Sequence, residues 1–295
     1  MKLGVHVSIA GGFDEAVVRA ERLACTAMQI FSRSPRGGDP PPVSAEEGKR
    51  FDAGRRRAGV DPVIVHAPYI INLASPDAWT WGRSTALFTT EYQRTAALGA
   101  QYLVVHVGSP KGQGDESGIA QMAKALTQTL AACQGEVMVL LENTAGSGDG
   151  LGARFEQLAS IRERVKPAKR VGYCLDTAHL FAAGHPIHLA EGLEQVVRDF
   201  DRLAGLEHVK VIHLNDSKVP FGARVDRHWH IGQGEIGAAA FGRIVNHQAL
   251  RGLPFILETP KSTDVEDQRN LTVVRNLVKA SAPSRRTRAV SARRA

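Results

Sequence analysis

The sequence is short of cysteine. Cys25, Cys133 and Cys174 are the only three in 295 residues, far apart and without CxxC spacing. That excludes a disulfide-stapled scaffold and a cysteine-rich zinc module, and it predicts reduced, mostly buried thiols. Aromatic residues are scarce at 6%, yet the chain is 43% hydrophobic, with enough Leu, Val, Ile and Ala to fill a large core, so disorder of the whole chain is excluded. No run approaches the ~18 apolar residues of a membrane span. The segment Met1 to Gly12 lacks the long apolar stretch and small-residue cleavage site of a secretory signal. The expectation is a cytoplasmic protein without membrane contact. Acids are missing altogether from the last 15 positions, where Arg285, Arg286, Arg288, Arg293 and Arg294 account for most of the net charge of +7; the rest holds 32 basic and 30 acidic residues, a net of +2. Residues 281–295 therefore read as a disordered basic tail, either solvated or weakly attracted to phosphates, and overall charge does not decide function.

Short apolar runs alternate with longer helical patterns. Strands are expected at Leu3–Ser8, Ala27–Ser32, Val63–Ala67, Tyr102–Val107, Val137–Asn143, Val171–Thr177, Val209–Asn215 and Pro254–Thr259. Most are continuous rather than alternating, as in strands buried on both faces of a parallel sheet. Helices are expected at Phe13–Leu23, Ala45–Ala58, Arg83–Leu98, Gly118–Gln134, Ala153–Val165, Ala190–Leu203, Ala238–Val245 and Val265–Lys279. Eight alternations in ~280 residues predict an α/β fold, a single (β/α)₈ TIM barrel over residues 1–280 with its active site at the C-terminal mouth; an open doubly wound sheet is the alternative. The connection Asn215–Ala238 is the longest without a clear helix, and loops of that length are often functional.

Function is written in how the strands end. Strands three to eight finish on His66, His106, Glu142, Asp176, His213 and Glu258. In a parallel barrel these positions converge on the mouth, where three imidazoles and three carboxylates are costly to desolvate unless paired or bound to cations. Asp176-Thr-Ala-His179 and Asp226-Arg-His228 add three more donors. Singly, each residue has a plain structural use: a hydrogen-bonded core histidine, a glutamate paired with lysine or arginine, an aspartate capping a helix. Six strands ending in ligand-type residues argue instead for zinc or manganese. One zinc takes three or four protein ligands, so nine donors exceed one ion, and bridging by a carboxylate lets them hold two or three. His6 ends the first strand and should also face the mouth, positioning a ligand or substrate.

These motifs, taken in order, resemble the endonuclease IV family of apurinic/apyrimidinic endonucleases. The resemblance runs through His6-Val-Ser-Ile-Ala-Gly-Gly12, Tyr69-Ile-Ile-Asn-Leu-Ala74, Glu142-Asn-Thr-Ala-Gly146 and Leu175-Asp-Thr-Ala-His-Leu-Phe-Ala-Ala-Gly184. It continues through His213-Leu-Asn-Asp-Ser-Lys218, Gly222-Ala-Arg-Val-Asp-Arg-His228, Gly232-Gln-Gly-Glu-Ile-Gly237 and Ile256-Leu-Glu-Thr259. It implies three zinc ions per chain, with manganese an alternative at some sites. His66, His106 and Glu142 would hold the first ion. Glu142 would bridge to a second, completed by Asp176, His213 and Glu258, and His179, Asp226 and His228 would hold the third. It also implies a DNA-repair hydrolase that cuts the backbone 5′ to an abasic site and cleans blocked 3′ ends, acting as a monomer on double-stranded DNA, cytoplasmic and drawn to the nucleoid by its substrate. Glu142 would be catalytic as the bridge. Arg36, Tyr69 and Ile70 would contact DNA at the damaged site. The run Ser34-Pro-Arg-Gly-Gly-Asp39 departs from the family's usual loop, which has asparagine before Pro-Arg and tryptophan soon after. The alternative is a metal-dependent sugar isomerase or epimerase of the xylose-isomerase-like group. Such an enzyme needs Glu142, Asp176, His213 and Glu258 but neither the His66–His106 pair nor Asp226-Arg-His228.

Overall fold

The computed structural model describes residues 1–34 and 41–279. Arg36 and the basic tail lie outside them. Strands β1 (Leu3–Val5), β2 (Met28–Phe31), β3 (Val63–His66), β4 (Tyr102–His106), β5 (Met138–Glu142), β6 (Val171–Asp176) and β7 (Val209–His213) are followed by a two-stranded hairpin, β8 (Asp216–Ser217) and β9 (His228–Trp229), and then by β10 (Phe255–Leu257). The helices are α1 (Phe13–Arg22), α2 (Ala45–Arg57), α3 (Ala78–Ala97), α4 (Asp115–Ala132), α5 (Phe155–Arg164), α6 (Thr177–Ala182), α7 (Ala190–Ala204), α8 (Ala238–Asn246) and α9 (Asp264–Leu277). All eight expected strands and all eight expected helices are present, with modest shifts at their ends. The largest shift is in α3, which begins at Ala78 rather than Arg83 because the Asp77 side chain accepts the Thr80 N–H at 2.7 Å and starts the helix there. Capping boxes, Ser44 with Glu47 and Thr263 with Glu266, start α2 and α9. The long connection after β7 is organised by the β8–β9 hairpin, which alternation of hydrophobicity did not reveal because each strand is two residues long.

The eight barrel strands are parallel, in the order β1-β10-β7-β6-β5-β4-β3-β2. A seam between β1 and β2 closes the sheet. It is held by the His6–Gln29 bridge, with the Val7 N–H donating to Gln29 O at 2.7 Å and the Thr26 N–H to Leu3 O at 2.9 Å. Close approach at this seam requires Gly4, where a Cβ would sit 1.8 Å from the Ala27 carbonyl oxygen.

Inside the barrel, Ala27, Ile64, Val104, Leu140, Cys174, Val211 and Ile256 pack as a buried layer of their own, separate from the larger core between strands and helices. Side chains on a strand repeat every two residues. Two positions beyond this layer, on the same inward face, stand Gln29, His66, His106, Glu142, Asp176, His213 and Glu258, with His6 two beyond Gly4. Parallel pairing of His106 with Glu142 and of Asp176 with His213 keeps neighbours level. The apolar layer, worth roughly 1.5–3 kcal/mol per buried Val, Leu or Ile, is thus the floor of a polar ring.

Candidate metal centre at the barrel mouth

Glu142 is at the middle of the ring and fully buried. One carboxylate oxygen, Oε2, lies 3.1 Å from His66 Nε2 and 3.2 Å from His106 Nε2. The other, Oε1, lies 3.1 Å from His213 Nδ1 and 3.4 Å from His179 Nδ1. His213 Nδ1 is also 3.1 Å from Glu258 Oε2. On the far side, His179 Nε2 is 3.2 Å from Asp226 Oδ2, and His228 Nε2 is 3.3 Å from Asp226 Oδ1 and 3.5 Å from Asp176 Oδ2. Three sets of donor atoms therefore converge, each within 4.8 Å: His66, His106 and Glu142; Glu142, Asp176, His213 and Glu258; and Asp176, His179 and His228. Glu142 belongs to two sets and Asp176 to two. Donors about 2.0–2.1 Å from a tetrahedral zinc stand roughly 3.3 Å apart, so the observed 3.1–3.5 Å separations fit such an ion.

The imidazoles are aimed by their other nitrogens. His66 Nδ1 lies 2.7 Å from the Ala67 carbonyl, His179 Nδ1 lies 2.9 Å from the Asn143 carbonyl, and His228 Nδ1 lies 3.3 Å from the Glu258 carbonyl. A carbonyl only accepts, so Nδ1 carries the proton and Nε2 offers a lone pair to the centre. Asp176 splits its work: Oδ1 accepts the His179 N–H at 2.8 Å and starts α6, while Oδ2 accepts from Asn215 Nδ2 at 2.6 Å and faces His228. The helix-capping reading of Asp176 and the ligand reading are thus compatible.

Electrostatically the cluster holds itself in a charged state. Burial alone would raise the Glu142 carboxyl, but His213 and His106 outweigh it and hold its pKa well below the ordinary range. Glu258 follows the same pattern, with burial overcome chiefly by His213. Burial opposes charge on His179 and His213 too, yet Asp176 and Asp226 raise the first, and Cys174, Glu258 and Glu142 raise the second, both well above an ordinary histidine. The ionised carboxylates that hold protons on these imidazoles would equally attract a divalent cation, which takes the protons' place.

All nine expected donors stand at this mouth. Asp226 is more exposed than the rest and reaches His179 and His228 rather than Asp176. Tyr69 and Ile70 lie on the loop after β3, 60% and 59% exposed. Away from the mouth, His230 lies near Asn270, His208 beside Glu207 and His247 beside Glu194. Sequence reading missed Gln29, Asn143, Asn215 and Asp216, the polar residues that orient the donors. Asp216 accepts four backbone N–H groups, from Ser217, Gly232, Gly234 and Ile236, at 2.8–3.0 Å, and so folds the chain after β9. Gln29 was within reach of the strand-period argument, since it stands two residues after the inward-facing Ala27.

A parallel barrel closed over an apolar floor, with its mouth ringed by imidazole and carboxylate, defines a class. The sequence profile of the xylose isomerase-like TIM barrel family matches residues 17–277. More narrowly, the chain belongs to the endonuclease IV family. It is 44% identical over 282 residues to the probable endonuclease 4 of Chloroflexus aurantiacus, covering 95% of this chain and 99% of the relative. The crystal structure of endonuclease IV from Thermus thermophilus superposes with a TM-score of 0.84 at 40% identity, over 94% of this chain and 98% of that one. A D-tagatose 3-epimerase-like protein shares the fold at 19% identity, with a TM-score of 0.69 over 94% of this chain and 97% of its own.

Proposed function

We propose that this protein is a DNA-repair endonuclease that hydrolyses the phosphodiester 5′ to an abasic site, leaving a 3′-hydroxyl and a 5′-deoxyribose phosphate, and that the same centre removes blocking groups from 3′ ends. The observation that carries this reading is the meeting of three donor sets at one mouth, two of them joined through the carboxylate of Glu142. Three zinc ions would be held by His66, His106 and Glu142; by Glu142, Asp176, His213 and Glu258; and by His179, Asp226 and His228. Bound there, zinc supplies Lewis acidity, acidifies water toward a pKa of ~7 and neutralises charge on the phosphate. Glu142, with one oxygen toward each side of the cluster, holds the two halves in register and is placed to orient an attacking water. The apolar layer beneath excludes solvent from the floor, so charges at the mouth act in a low dielectric. Tyr69 and Ile70, exposed side by side, form a wedge that can enter DNA opened at the lesion.

A sugar epimerase with one metal would use Glu142, Asp176, His213 and Glu258 alone. The convergence of Asp226 and His228 on His179 favours the nuclease. The test is incubation of the purified protein with a duplex carrying one abasic site, with and without EDTA, beside a metal analysis. EDTA-sensitive incision on the 5′ side with about three zinc per chain is expected. No incision, with one metal and turnover of a ketose, would overturn the proposal.

A further inference from the structure

Gln29 is the one member of the mouth ring that is neither imidazole nor carboxylate, and it is fully buried. Its amide touches three other members. One end lies 2.5 Å from Glu258 Oε1 and 3.0 Å from His6 Nδ1; the other lies 2.7 Å from His213 Nε2. A carboxylate only accepts hydrogen bonds, so the end facing Glu258 is the NH₂. The carbonyl oxygen consequently faces His213 Nε2, which must carry the proton. The second amide hydrogen goes to His6 Nδ1, which must be bare. His66, His179 and His228, by contrast, are each fixed through Nδ1 by a main-chain carbonyl.

We propose that Gln29 is a positioning residue that selects the ligand atoms of the second metal site: it forces His213 to present Nδ1, occupies Glu258 Oε1 so that Oε2 faces the metal, and fixes the tautomer of His6. This rests on the metal-centre reading above. His213 Nδ1 lies 3.1 Å from both Glu142 Oε1 and Glu258 Oε2, so a proton on Nδ1 would close the site, and a proton on Nε2 opens it. His213 Nδ1 faces the carboxylates of Glu142 and Glu258, while Nε2 meets the Gln29 carbonyl at 2.7 Å rather than a main-chain carbonyl, so the choice of tautomer is left to a side chain. The same amide joins β1, β2, β7 and β10, two of which form the barrel seam. His6 is left with an Nε2–H that is buried and has no partner among the described residues. It is a donor held ready at the rim of the centre.

The test uses the zinc-loaded protein labelled with ¹⁵N-histidine. In the wild type, the His213 signals, identified by their loss in His213→Gln, should show Nδ1 ligated and Nε2 protonated, and His66, His179 and His228 the reverse. Gln29→Met keeps length and burial without hydrogen bonds; Gln29→Glu keeps the acceptor for His213 but cannot donate to Glu258. Both should lose zinc to a chelator about 10–100-fold more readily than the wild type, and kcat on abasic DNA should fall with KM nearly unchanged, because Gln29 lies beneath the substrate. Wild-type His213 ligated through Nε2, or both variants matching the wild type in zinc retention and kcat, would overturn the proposal. A wild type that retains no zinc overturns the metal-centre reading instead, so the two failures are distinct. The tautomer measurement stands even if neither variant folds.

Discussion

Asp216 offers a quantitative test of how the loop that carries His228 is held. Its Oδ1 accepts from the Ser217 N–H at 2.8 Å and the Ile236 N–H at 2.9 Å; its Oδ2 accepts from the Gly232 N–H at 2.8 Å and the Gly234 N–H at 3.0 Å. The residue is fully buried, so water cannot replace a lost partner. Asp216→Asn keeps the shape but puts an NH₂ where one oxygen stands, leaving two backbone donors facing a donor. At ~1–3 kcal/mol for each buried group left unsatisfied, the loss is about 4 kcal/mol. For a chain of this size, at ~2 °C per kcal/mol, that is a fall in Tm of roughly 8 °C. Gly234→Ala attacks the same loop from the other side, because a Cβ there would meet Ser217 O at 2.3 Å and Asp216 Oδ1 at 2.6 Å. Asp216 pairs with Trp229 across the β8–β9 hairpin, so His228 should loosen and the metal set it shares with His179 should weaken. Thermal unfolding in chelator reads the stability, and zinc analysis after dialysis reads the site. An Asp216→Asn protein melting within ~2 °C of wild type with undiminished zinc would refute the reasoning.

Glu142→Gln removes one oxygen from the carboxylate shared by two donor sets; incision should fall at least about 10²–10³-fold and bound zinc should drop, as single-turnover cleavage and metal analysis would measure, with the far-UV circular dichroism unchanged. Without metal, the raised pKa values of His179 and His213 stabilise the fold below the unfolded value near ~6.5 and cease to do so as pH rises through the folded values, while the lowered Glu142 and Glu258 stabilise above ~4.3 and cease to do so as pH falls. Metal-free Tm should therefore peak between about pH 4.5 and 6.5, and added zinc should reverse the alkaline decline by taking the protons' place; scans at several pH values with and without chelator decide it. Burial pushes the Cys25 thiol up to about 11 and the Cys174 thiol up to about 12, so intact-mass analysis should find no alkylation of either at neutral pH until the protein is unfolded.

The barrel was legible because its strands are continuous apolar runs and its helices carry a distinct period, and the donors were legible because six strands end on residue types that dislike burial alone. What sequence reading could not supply was the side-chain amides between the donors. Gln29, Asn143 and Asn215 have no ligand chemistry of their own, and their importance arises from contacts with residues far away in the chain, such as Gln29 with Glu258. Asp216 was hidden for a different reason: its partners are backbone groups, which have no signature in residue type. The pairing of His179 and His228 with Asp176 as well as Asp226 likewise depends on how the connection after β7 folds back, which the residues 215–238 do not announce.

The donors at the mouth span the chain from His66 to Glu258, and the last of them follows the strand that slots between β1 and β7 to shut the sheet. A chain that stops before that strand carries eight of the nine donors, all but Glu258, and the proposed metal centre is unfinished. The donor set is therefore complete only once β10, the last strand of the barrel, is in place. In a nuclease, that dependence acts as a safety interlock: half-made copies are blades without an edge.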